Sequence, residues 1–334
     1  MTEEEYENLS EFSKLESERN PLYRRLIRCI KYDLPFGDMC TGIPLDKILS
    51  NLNYLLENNV IAKKEKTEKL FVTPHGEHIL SFPCKIPTTK FVLHMIEKIT
   101  KQHLSISAFT DAFYWTFVIA AWTEIAPDMF WRPARGCHEN TDEYKMKLDN
   151  ILWVQQELMK DDCFATFINI WDIYHSEKDR RTWQEKNFIF VKSLRNVDKL
   201  KNEILRSFQK CFEINVRLPF DDFKRNTRQN APDSTVENLI REGIFECFAS
   251  NIFGEPQNSF NILKYNRIYN DDKINHYVVN KWIKNKSSIS CPAPFVVALS
   301  LRKCKMFTYM NTIVNPPFRC NEYWNATCYE DNDA

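Results

Sequence analysis

Glycine is scarce in this chain, with six in 334 residues. Phosphate-cradling loops need residues that tolerate positive φ and allow close backbone approach, so the shortage speaks against a nucleotide-binding enzyme. Gly37 and Gly42 have P-loop spacing, but Ile43 and Pro44 stand where lysine and serine or threonine would meet phosphate and magnesium. No acidic box supplies the carboxylates that hold a metal during phosphoryl transfer. H-E-x-x-H and G-x-S-x-G are also missing, and His75 and His78, on either side of Gly76, read as surface histidines. No catalytic residue, metal site or cofactor is expected in this chain.

Paired cysteines are lacking too. The eleven cysteines are scattered from Cys29 to Cys328 without a C-x-x-C pair. This odd, dispersed set reads as reduced thiols in a cytosolic or nuclear compartment, not a disulfide framework or zinc site. The longest apolar stretch, Ala112 to Trp122, has eleven residues, against the ~20 that a membrane span requires. It is expected to be a buried helix. The acidic, polar start MTEEEYENLSEFSKLESE lacks the basic and apolar regions of a secretory signal. The N-x-S/T matches at Asn8, Asn285 and Asn325 therefore read as chance.

The formal net charge of zero hides a separation. Residues 3 to 19 hold seven acidic and two basic groups, whereas residues 180 to 228 hold thirteen basic and six acidic. Residues 260 to 310 add nine Lys or Arg against Asp271 and Asp272. Clustered cations are the electrostatic footprint of polyanion binding, and also of a merely solvated surface.

The apolar periodicity predicts a mainly α chain with a C-terminal β part, in two or three compact units. Residues 1–35 read as an acidic segment and a short helix from Pro21 to Lys31. Residues 36–83 carry a helical stripe of Leu45, Ile48, Leu49, Leu52, Leu55 and Leu56, then Val60 to Ala62, a charged KKEKTEK turn and Leu70 to Val72. Thr73 is a fitting N-cap before Pro74. Helix, two-stranded wing and helix make a winged-helix reading, and another small α/β insert would share the pattern. Residues 84–212 read as a helical bundle, with the acidic CHENTDEYKMKLDN stretch as one of its connections. Residues 213–334 read as a small barrel or sandwich preceded by a helix, Ser234 to Ala249.

The segment Trp183 to Lys210 carries two stripes at helical periodicity. Phe190, Leu194, Val197, Leu200, Ile204 and Phe208 fall on one side. Lys192, Arg195, Lys199, Arg206 and Lys210 fall opposite, within an arc of about 80°, with Asn202 between them and Glu203 at the edge. Such a ridge can meet successive phosphates of one strand, giving affinity without sequence reading. An ordinary amphipathic helix with a cationic solvent face presents the same pattern.

Trp183, Asn187 and Phe188 match the W-C-x-x-N-F/Y signature of the C-terminal region of DEAH/RHA-type helicases, with Gln184 in place of the cysteine. Thr166 to Trp171 resembles that family's T-L-L-N-V-Y through Asn169, with Cys163 where aspartate is common. Ile119 to Pro133 resembles I-A-A-x-L-S-V-x-D-P-F-x-R-P, and Leu70 to Pro83 resembles L-T-P-L-G-x-x-x-A-x-L-P through Thr73, Gly76 and Pro83. Ile240 to Phe245, with Gly243, is similar to a family helix ending in A-G-F-F, while the H-P-S-S motif has no counterpart around His276.

These ordered matches imply a RecA-lobe tail or linker, a winged helix, a ratchet-like helical bundle and an OB-fold-like barrel. In that family the modules enclose a single strand against two RecA-like lobes that bind ATP and Mg2+, and those lobes have no counterpart here. The resemblance places Lys192, Arg195 and Lys199 on the ratchet helix facing RNA or DNA, and Arg206 of the same ridge is a further candidate contact. Lys264 and Arg267, with Tyr269, Tyr277, Trp282 and Lys284, would serve an OB groove, where core aromatics are the competing reading. Expected partners are single-stranded RNA or DNA, the RecA-like lobes and protein regulators, with no membrane. The Asn/Lys/Ile-rich texture suits a helicase of a large DNA virus. The competing readings are a stand-alone winged-helix nucleic-acid-binding or adaptor protein and a structural protein whose basic blocks meet an acidic partner.

Overall fold

A computed structural model describes residues 22–64, 67, 69–125, 129–131, 142–160, 162–212 and 231–248, and the backbone of five strands between residues 252 and 314. It divides into two compact units, Met1–Pro83 and Cys84–Ala334. The chain is mainly helical.

The first unit contains α1 (Tyr23–Lys31), α2 (Phe36–Met39), α3 (Leu45–Glu57), β1 (Ile61–Lys63), β2 (Leu70–Val72) and α4 (Pro74–Ser81). Asn59, at φ 55°, ends α3 in the left-handed region and turns the chain into β1. β1 and β2 pair antiparallel, Ile61 opposite Val72 and Lys63 opposite Leu70. Thr73 joins the wing to α4: its hydroxyl accepts from the Gly76 amide at 3.0 Å and donates to the Asn59 carbonyl at 2.8 Å.

Two findings differ from the periodic reading of this unit. α1 belongs to it, through the Arg24 guanidinium on the Phe82 carbonyl, the Tyr23–Tyr54 ring stack at 4.5 Å and the Leu22 amide on Asn51 Oδ1 at 3.0 Å. That docking sets which side of α3 is buried. Asn51 and Leu55 are inside, whereas Leu45 and Leu49 are 66% and 47% exposed.

The second unit is built around α6 (Ile106–Ile125), in which every residue from Ala112 to Trp122 is buried. A helix apolar on all sides is stable only when surrounded. Here α5 (Ile86–Lys101), α10 (Val191–Cys211) and α11 (Ser234–Cys247) pack against it. α11, read from the sequence as a lead-in to the β region, is thus part of this bundle. Gly243 makes that possible, because a Cβ there would lie 2.1 Å from Met95 Sδ.

Between these lie α7 (Asp142–Gln156), α8 (Cys163–Ser176) and α9 (Arg180–Lys186). The acidic stretch read as a connection is helical from Asp142 onward. The second half of this unit adds β3 (Ile252–Ser259), β4 (Ile262–Arg267), β5 (Tyr277–Val279), β6 (Phe295–Lys303) and β7 (Thr308–Val314), closed into a barrel of order β3-β4-β5-β7-β6. All pairs are antiparallel except β5 with β7.

Candidate nucleic-acid interface

α10 begins at a corner fixed by the backbone. Phe188 takes φ 52°, a costly conformation for a large residue unless its surroundings enforce it. The Phe188 carbonyl accepts from the Trp131 amide at 2.7 Å and from Gln155 Nε2 at 3.0 Å, and the Ile189 amide donates to the Gln184 carbonyl at 2.9 Å. Gln155 Nε2 also reaches the Trp131 carbonyl at 3.1 Å, and the Trp131 and Phe188 rings stack at 6.1 Å. Asn187 Nδ2 donates to the Trp183 carbonyl at 2.8 Å, closing α9. Trp183, Asn187 and Phe188 therefore form the elbow that aims α10.

From that elbow α10 runs 21 residues and separates its two faces. Leu194, Val197, Leu200, Ile204 and Phe208 are buried, and Lys192, Arg195, Lys199, Arg206 and Lys210 are exposed. None of these five cations has an ion pair among the described residues. Phe190, placed by periodicity on the apolar stripe, is 43% exposed instead. It is the N-cap of α10, with ψ 113°, so helical periodicity does not place its side chain.

The buried face of α10 also carries a charge. Lys201 is 6% exposed, with Nζ 2.7 Å from Asp198 and over the rings of Tyr114 at 5.4 Å and Trp171 at 5.8 Å. Ring faces and a carboxylate together offset the cost of burying an ammonium. Trp171 Nε1 donates to Tyr114 Oη at 3.0 Å, and burial pushes the Tyr114 hydroxyl up to about 12. Burial, with Arg180 and Lys201 nearby, brings His175 down to about 4, so its ring is neutral at physiological pH. Asp198 pairs with Lys201, and the half-buried Glu203 lies at the edge of the ridge.

The remaining sequence candidates are structural or lie elsewhere. Gly76 is buried under the Val60 carbonyl, and Pro83 is exposed after α4. Asn169 Nδ2 donates to the Leu158 carbonyl at 2.9 Å, tying α8 to the end of α7. Lys264 and Arg267 occupy β4 opposite Gln257 and Phe253, and Tyr277 lies on β5. Their side chains, and Pro133, Tyr269, Trp282 and Lys284 entirely, are outside the described residues.

Sequence reasoning missed the Asp162–Arg241 pair. Asp162 caps α8 through the Ala165 amide at 2.7 Å and meets Arg241 Nη1 at 2.5 Å. Arg241 also binds Glu237 at 2.8 Å and covers the Phe164 ring at 4.4 Å. Asp162 carried a visible capping signal, but the 79-residue separation from Arg241 concealed the pair.

Among the described residues no helix is long and apolar enough to cross a membrane. Neither the known family models nor the curated proteins contain a match to this chain.

Proposed function

We propose that this chain is the C-terminal accessory region of an ATP-dependent DEAH/RHA-type helicase, gripping single-stranded RNA or DNA while a separate RecA-like motor supplies ATP and Mg2+ chemistry. The observation that carries this reading is the α10 ridge, whose Lys192, Arg195, Lys199 and Arg206 are exposed and unpaired among the described residues on a helix anchored by its opposite face. Cations at three- or four-residue spacing meet a flexible phosphate backbone without sequence readout.

Two further features support it. A helix, antiparallel wing and capped helix suit a winged helix, and a closed five-strand barrel whose third and fifth strands run parallel suits an OB-fold. In that fold the second and third strands face the oligonucleotide, which favours Lys264 and Arg267 on β4 as further contacts. Duplex recognition by the first unit is disfavoured, because α3 exposes Leu45 and Leu49 and carries Lys47 against Asp46 and Glu57, where a reading helix needs cations. An intracellular location and protein regulators of the motor belong to the same proposal.

The test is titration of the purified chain with single-stranded RNA and DNA at two salt concentrations. Log affinity is expected to fall with log salt by about 0.7 per neutralised phosphate. Changing Lys192, Arg195 and Lys199 together to glutamate should remove most of the binding and flatten that slope. Undiminished binding by the triple variant would end the ratchet assignment.

A further inference from the structure

α7 buries two of its fifteen residues, Ile151 and Gln155. None of its first nine, Asp142 to Asn150, is buried. A helix of this length is marginal in water on propensity alone and gains stability mainly by covering an apolar face. α7 has such a face and leaves it open: Met146 is 73% exposed and Trp153 64%. Seven residues apart, they share one side of the helix. Single exposed apolar residues are ordinary, whereas tryptophan is among the residues most enriched at the energetic centres of protein interfaces, and methionine adapts to varied partners.

The charges along that side indicate what covers it. Asp142 and Asp149 are exposed and lie with Met146 and Trp153 within an arc of about 60° at helical periodicity, and the exposed Glu157 follows in the turn after α7. Lys145 and Lys147 flank the arc, Lys145 at 3.4 Å from Asp142. Carboxylates in this position repel phosphate, so the face is no extension of the α10 ridge. They complement a cationic partner, whose lysines or arginines can pair with the rim and cover the indole face while an apolar residue meets Met146.

We propose that the Met146–Trp153 face of α7 is a docking surface for a basic, amphipathic segment of a partner protein. This does not depend on strand gripping by α10. The probe is a fluorescent amphipathic peptide of leucine and lysine, followed by anisotropy against the full chain, with a leucine–glutamate peptide of the same pattern as control. The lysine peptide should bind and the glutamate peptide should not. The double variant W153A/M146S and the charge reversal D142K/D149K should each weaken binding by about tenfold or more, with unchanged far-UV circular dichroism. Absence of binding, equal binding by the variants or equal binding of the glutamate peptide would overturn the proposal. So would loss of single-stranded RNA binding in W153A/M146S, which would give the face to nucleic acid.

Discussion

At Gly76 a methyl group would lie 2.1 Å from the Val60 carbonyl oxygen and 2.8 Å from a Val72 methyl. The nearest obstacle is backbone and cannot rotate away, so Gly76→Ala forces the wing and α4 apart. A cost of about 1–3 kcal/mol is expected, as for overpacked cores. Thr73→Ala removes the cap and should cost about 1 kcal/mol; denaturant melts of both variants check these values. Asp162 is a different case, because its side chain is 1% exposed and its loss strands the Arg241 guanidinium. Asp162→Ala is expected to cost about 3–5 kcal/mol, while Asp162→Ala with Arg241→Met should cost markedly less. Additive losses in that double-mutant cycle would show that the pair does not act as a unit.

At the scale of one element, α10 puts two kinds of cation on opposite faces. Its ridge lysines and arginines can be changed with little effect on folding, since all five are exposed and none has an ion pair among the described residues. Lys201 cannot be treated the same way. Lys201→Met keeps the stem that packs between Tyr114 and Trp171 and leaves Asp198, 39% exposed, able to face water. It should shift stability by less than about 1.5 kcal/mol. Lys201→Glu, a buried anion beside Asp198, should cost about 3 kcal/mol or more.

The same cluster gives a pH dependence. His175 is held neutral down to about 4 in the folded chain against an ordinary value of 6.5. The unfolded state therefore binds its proton first. This contribution is constant above 6.5, declines as pH falls from 6.5 toward 4, and changes no further below that. His175→Gln should flatten the melting temperature over this window, and an unchanged profile would remove the assignment.

For the whole molecule, neutral net charge conceals an uneven distribution. α10 carries a basic ridge with no ion pair among the described residues, while one face of α7 in the same unit carries the exposed carboxylates Asp142 and Asp149 around Trp153. The two should respond independently to mutation: glutamates at Lys192, Arg195 and Lys199 abolish strand binding and leave the leucine–lysine peptide bound, and W153A/M146S does the reverse. A variant set that fails together would point to one composite surface.

Local rules made several features legible. The period of 3.6 in residues 191–210 assigned both faces of α10, continuous apolarity marked Ala112 to Trp122 for the interior, and Thr73 before Pro74 announced a helix start. Each depends on neighbours a few residues apart. α7 escaped this reading because Met146, Leu148, Ile151 and Trp153 are mixed with charges and make no clean stripe. Phe190 fits the stripe but is the non-helical N-cap of α10, and α3 leaves Leu45 and Leu49 exposed because α1 docks on the Asn51 side. Sequence periodicity thus determined which residues share a face. Tertiary packing decided which face was covered, and across 79 residues brought Asp162 to Arg241, because burial depends on what the rest of the chain places against each face.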